Sequence, residues 1–247
     1  MDSKLTSENV GREMAVWQHL EELRWAIIKS IVVVALTTTA AFAFTDFVWA
    51  VLRLPFARIA DQVELIYSGP LDAFLVKVKL ALLAGLVAAA PFVLGFLWSF
   101  VAPGLTRRER CVVYCGVGVG SVFFGLGVGF GYLLLPYGLQ FLVSFSVPGF
   151  GNLWPVVHYL DFCLRLLLGF GLVFELPVVL TLLVRLDLVR VATLRRFRPY
   201  AVIAAFVLAA VLTPPDIVSQ IALALPIIGL YEMSILLGRW QEHSRPG

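Results

Sequence analysis

LALLAGLVAAAPFVLGFLWSFV, residues Leu80 to Val101, runs for 22 residues without a charged side chain. As a helix rising about 1.5 Å per residue, it covers the roughly 30 Å of hydrocarbon in a bilayer. No water is available there for backbone N–H and C=O groups. Only a helix or a closed barrel satisfies them all. A barrel strand alternates polar and apolar residues over about ten positions. This run is apolar on every side, so it reads as a transmembrane helix.

Working outward, five further runs fit the same template: about 27–44, 112–135, 162–184, 200–212 and 217–237. The expected fold class is all-α, a polytopic membrane protein with six transmembrane helices in a single membrane domain over 1–247. Residues 1–25 and 238–247 form its tails. The whole chain agrees, being 60% hydrophobic and 14% charged, against about 45–50% and 25% in soluble domains. The first 25 residues lack the apolar core of a cleavable signal peptide, so the amino terminus is expected as a polar tail. The net charge of +3 is too mild to indicate nucleic-acid binding.

Six spans put both termini on one side, and the placement of basic residues chooses the side. Lys4, Arg12 and Arg24 precede the first span. Arg107, Arg108 and Arg110 follow the second. Arg185, Arg190, Arg195, Arg196 and Arg198 follow the fourth, and Arg239 and Arg245 close the chain. The opposite connectors are poor in charge: Pro136 to Leu160 and Thr213 to Asp216 hold no Lys or Arg. Both termini are therefore expected in the cytoplasm, with the chain in the cytoplasmic (inner) membrane. Phe47, Val48, Val51 and Leu52 share a helical face before Pro55, which reads as a short amphipathic helix at the outer interface. The second outer loop, with Pro148, Gly149, Gly151, Asn152 and Pro155, reads as irregular. Trp49, Trp98 and Trp154 fall near the expected interfaces.

The third span is rich in glycine. The pairs Gly116/Gly120, Gly125/Gly129 and Gly127/Gly131 match a small-xxx-small packing face, not a nucleotide loop, since no strand precedes them. Cys111, Cys115 and Cys163 read as small packing residues, and no metal site is expected.

Charges inside apolar spans cost several kcal/mol unless they face protein or water. Glu175 lies well inside the fourth span. Its functional reading is a site or a partner contact; its plainer reading is a structural ion pair. Pro177, two residues on, removes a backbone donor and should kink the helix. Arg165 reads as snorkelling towards the outer interface. Pro214 and Pro215 end the fifth span, and Asp216 reads as a cap for the sixth. Gln220 follows one turn later. Glu232 reads equally as a partner for Arg239 or another basic group and as functional. His19, His158 and His243 are scattered, and no convergent set of catalytic groups appears, so the chain does not read as an enzyme and calls for no cofactor.

Five strings, in order, resemble the TatC family, the multispan receptor subunit of the twin-arginine (Sec-independent) protein translocase. They are HLEELR (His19 to Arg24), WSFVAPGLTRRER (Trp98 to Arg110), FGLVFELP (Phe170 to Pro177), RPYAVIAAFVLAAVLTPPDIVSQ (Arg198 to Gln220) and LALPIIGLYE (Leu223 to Glu232). The resemblance covers nearly the whole chain. It implies binding of the twin-arginine signal peptides of folded precursors, with export driven by the proton gradient. Carried onto matching positions, it implies Glu109 as the reader of the arginine pair, with Phe100 beside it and Glu22 and Arg24 supporting the same surface. It implies Glu175, Asp216 and Gln220 on faces that meet single-span TatA- and TatB-type partners, and Pro55 as a shaping residue. Membrane lipids and further copies of the chain, as a homo-oligomer within a larger complex, complete the expected partners. Ala26, Thr106 and Asp72 depart from common residues of the family.

Physical chemistry agrees with this reading. Two guanidinium groups call for carboxylates that accept bidentate hydrogen bonds, and Glu22 and Glu109 sit at membrane ends on the same expected side. The arginines around them suit topology and lipid headgroups. Two rival classes remain. One is a proton- or cation-coupled small-solute transporter using Glu175 and Asp216, although the halves show no convincing inverted repeat. The other is a scaffold for partner helices. The fifth span, at about 20 Å, is too short for the hydrocarbon core and should leave the bilayer locally thin.

Overall fold

The structure, a computed structural model, describes residues 2–101, 107–147, 151–186, 188–212 and 217–243; the side chains at 2–19, 100, 101, 107–113, 218, 219, 222, 242 and 243 lie outside that description. The described chain is mostly helical. The helices are α1 (Asp2–Ala41), α2 (Thr45–Phe56), α3 (Asp72–Val101), α4 (Arg107–Val143), α5 (Val156–Phe174), α6 (Leu176–Arg185), α7 (Val191–Arg196), α8 (Arg198–Leu212) and α9 (Ile217–His243). A single 3-10 turn, Phe42–Phe44, joins α1 to α2, and two short strands, β1 (Glu64–Ile66) and β2 (Leu153–Pro155), complete the set. Five stretches are long and apolar enough to cross a membrane: Leu20–Phe56, Asp72–Ser99, Tyr114–Val143, Val156–Arg185 and Leu223–Gln241. The sixth expected span is the shorter apolar helix Arg198–Leu212.

α1 packs along α3. The Thr37 hydroxyl donates to the Gly85 carbonyl at 2.9 Å, and Gly85 has no room for a Cβ against the backbone of Thr38. Lacking a hydrophobic drive in lipid, membrane helices rely on such close approach and on hydroxyl donors. α4 packs on α5 and α6 by the same device. A Cβ on Gly127 would collide with the Phe170 carbonyl and stand 2.9 Å from the Gly171 Cα, and one on Gly131 would lie 3.1 Å from the Leu166 carbonyl oxygen. Gly116 faces Leu182 and Gly120 faces Glu175. Gly125 and Gly129 meet nothing within 4 Å, so that pair packs against no other helix among the described residues of this chain.

One end of the bundle is tied by the two long connectors. β1 and β2 pair in parallel, Glu64 opposite Leu153 and Ile66 opposite Pro155. The second connector is therefore less irregular than its glycines and prolines indicate. Strands of three residues are too short to show an alternation. Asn152 Nδ2 adds a 3.2 Å bond to the Gln62 carbonyl. α2, the expected amphipathic helix, folds down onto the bundle. Leu52, Pro55 and Phe56 are buried while Phe47, Val51 and Leu54 are exposed. Pro55, inside the helix, has no N–H to offer the Val51 carbonyl four residues back. The Tyr132 hydroxyl donates to Val51 at 2.8 Å and the Tyr159 hydroxyl to Leu52 at 2.5 Å. Asp72 caps the start of α3, accepting from the amides of Ser68 at 2.7 Å and Gly69 at 3.1 Å.

Of the cysteines, Cys163 is fully buried, Cys115 is exposed, and Cys111 lies outside the described side chains. The packing reading therefore holds at Cys163 and fails at Cys115. Trp98 is buried against Leu182 and does not face outward as a belt residue would.

Candidate functional site: a buried carboxylate below a rim of acidic positions

Pro177 breaks the fourth span as its chemistry requires. α5 ends at Phe174, α6 begins at Leu176, and Glu175 is the joint. Its amide bonds Leu172 O at 3.1 Å, a tightened turn, and its carbonyl accepts from Val179 at 2.9 Å. A proline at this point has no N–H to continue the ladder, and its ring crowds the carbonyl four residues back. The carboxylate then turns into the bundle. Glu175 is 6% exposed, and neither carboxylate oxygen has a hydrogen-bond partner among the described residues. The structural ion pair that a carboxylate in a span calls for is absent among those residues. Beside the joint, a recess of about 220 Å³ opens between α4, α6 and α9, lined by Gly116, Pro177, Thr181, Arg185 and Gln241 among others.

The rim positions lie at the end of the bundle that carries the connector between α3 and α4. From the Thr37–Gly85 contact, Glu22 is about 22 Å back along α1 and Phe100 about 22 Å forward along α3. Both therefore reach one level. Glu109 lies in the first turn of α4, a short connector away from Phe100 and about 16 Å along the axis from Gly120 and hence from Glu175. Glu22 and Arg24 are exposed on α1. For Phe100 and Glu109 the helical positions are described and the side chains lie outside the description. Asp216, Pro214 and Pro215 lie outside the described residues altogether.

Gln220 has a partner within the chain, its Nε2 donating to the Phe206 carbonyl at 3.0 Å and stapling α9 to α8. Glu232 pairs with Arg198 at 2.6 Å, a basic group other than Arg239, which agrees with its plainer reading, and the Tyr231 hydroxyl donates to Leu194 O at 2.7 Å. Together they fix the start of α8 against α9. Pro55 is buried inside α2. Sequence reasoning missed the pair Lys79–Asp161, at 2.5 Å between α3 and α5. The only available signal was two opposite charges at the margins of separate spans.

The architecture has close counterparts. A crystal structure of a twin-arginine translocase receptor, TatC, superposes with a TM-score of 0.81 at 32% identity, covering 91% of this chain and 99% of that one. The Sec-independent protein translocase protein TatC of Desulforapulum autotrophicum is 38% identical over 90% of this chain and 83% of its own length. The TatC of Carboxydothermus hydrogenoformans is 34% identical over 93% and 94%. The family model for TatC, Sec-independent protein translocase protein, matches residues 18–226. The chain belongs to the TatC family of Sec-independent protein translocase proteins.

Proposed function

We propose that this chain binds the twin-arginine signal peptides of folded precursor proteins at the rim formed by Glu22, Arg24, Phe100 and Glu109. With TatA- and TatB-type single-span partners, it then takes part in their export across the inner membrane on the proton gradient. The reading includes six spans, with Arg198–Leu212 as the short fifth, and both termini in the cytoplasm, where the basic residues concentrate. The observation that supports it is the helix rise that brings Glu22 of α1 and Phe100 of α3 to one level, with Glu109 in the first turn of the next helix. A pair of guanidinium groups is held best by carboxylates offering bidentate acceptors, and an apolar ring beside them suits the residues next to the arginine pair.

Glu175 takes a separate role, about 16 Å deeper. A buried carboxylate with two unsatisfied oxygens is stabilised by any donor that reaches it. A polar side chain on a single-span partner helix is such a donor, and a recess lined by Pro177 opens two residues along from the joint. Asp216 and Gln220 are further partner contacts in this reading. Pro55, Pro177, Pro214 and Pro215 are assigned structural roles in this reading.

The test is site-directed photocrosslinking from the arginine pair of a precursor. Crosslinks to positions 100 and 109 that vanish when the precursor arginines become lysines support the reading. Crosslinks of equal strength to the β1–β2 end would reject it.

A further inference from the structure

We propose that the recess between α5 and the end of α8 is a binding site for one phospholipid, with Arg165 holding its phosphate. The inference rests only on the chain lying in a membrane, not on the signal-peptide reading.

α8 is too short to run beside α5 for its full length. Its last residue, Leu212, packs onto Gly169, where a Cβ would collide with the leucine side chain. Gly169 is about 20 Å along α5 from its start at Val156. Helix α8 thus leaves the upper part of α5 uncovered on this side. A recess of about 620 Å³ occupies the space, floored by Leu212 and walled by Leu139, Phe162 and Arg165, with Trp154 and His158 at its mouth.

Arg165 lies about 13 Å below the start of α5, inside the apolar span. It is exposed to the recess, and it takes part in neither ion pair seen among the described residues. The acid one turn away, Asp161, is held by Lys79 of α3. A guanidinium at this depth needs an anion. The nearest carboxylate among the described residues is already engaged, and the surroundings can supply another anion. A phosphodiester fits the planar guanidinium fork. The apolar walls suit acyl chains, and the Trp154 indole suits the glycerol level of a leaflet. The short α8 lets the leaflet dip far enough for a headgroup to reach Arg165. A lipid without its own cation is favoured, since the Lys79–Asp161 pair leaves Arg165 as the net charge.

The test is native mass spectrometry of the full chain in detergent, titrated with phosphatidylglycerol. The wild type should retain one lipid on collisional activation, and Arg165→Gln should lower that occupancy at least about tenfold. Arg165→Lys should keep most of it, and Arg53→Gln, an exposed cation on α2, all of it. Diacylglycerol of the same chains should not be retained, and millimolar inorganic phosphate should not displace the lipid. Undiminished retention by Arg165→Gln, equal retention of diacylglycerol, release by inorganic phosphate, or no lipid on the wild type would each overturn the proposal.

Discussion

The carboxylate of Glu175 occupies the space that a side chain on Gly120 would need: a Cβ there would stand 2.9 Å from Oε2. The glycine that lets α4 approach thus also makes room for the least compensated charge-bearing group of the described bundle.

Gly120→Ala should separate the two roles. The colliding atom is the end of a flexible side chain, so the substitution should alter stability by less than about 1 kcal/mol. The carboxylate must move, and co-purification of a TatA- or TatB-type partner should fall severalfold while precursor binding persists. Partner yield at the wild-type level from Gly120→Ala membranes would show that the position of Glu175 is irrelevant to assembly.

Two other glycines of α4 should behave in opposite ways. Gly127→Ala drives a methyl into the backbone of α5 and should destabilise the protein by about 2 kcal/mol or more. Gly129→Ala meets nothing within 4 Å and should be neutral or stabilising by up to about 1 kcal/mol, the helix-propensity gain. Thermal melts in detergent check both, and equal melting points would contradict the packing described for α4 and α5.

Tyr159→Phe removes the donor to Leu52 O, a bond in the buried core. The expected loss is about 1 kcal/mol, the net worth of one buried hydrogen bond. Tyr132→Phe breaks a more exposed bond to the neighbouring carbonyl and should cost less. Limited proteolysis near α2 should follow the same order.

The Lys79–Asp161 pair is partly exposed, its side chains 21% and 37% accessible. Screening should keep its coupling, read by a double-mutant cycle, to roughly 1 kcal/mol or less. A much larger coupling would mean that the pair is dry and that the site beside Arg165 is closed to headgroups.

Much of this was legible in sequence. Each apolar run proved helical, and Pro177 marked the joint at Glu175. The short run 200–212 proved to be the short helix α8. Other features needed the folded chain. Lys79 and Asp161 are 82 residues apart, and periodicity within one helix says nothing about such a contact. The glycine pairs of α4 share one spacing, yet only the face turned to α5 and α6 packs. The face is set by the neighbour, not by the spacing. Phe100 and Glu109 sit in strings with no periodicity that marks a site. Only resemblance singled them out, and the fold adds that Phe100 stands at the level of Glu22.

The most direct measurement is complementation. A host lacking its own TatC would receive this chain or its Glu109→Gln variant and be scored for export of a folded twin-arginine substrate. The account predicts export with the wild type, and at least about a tenfold loss with Glu109→Gln despite normal membrane levels and partner co-purification. Export by Glu109→Gln at the wild-type rate would contradict it.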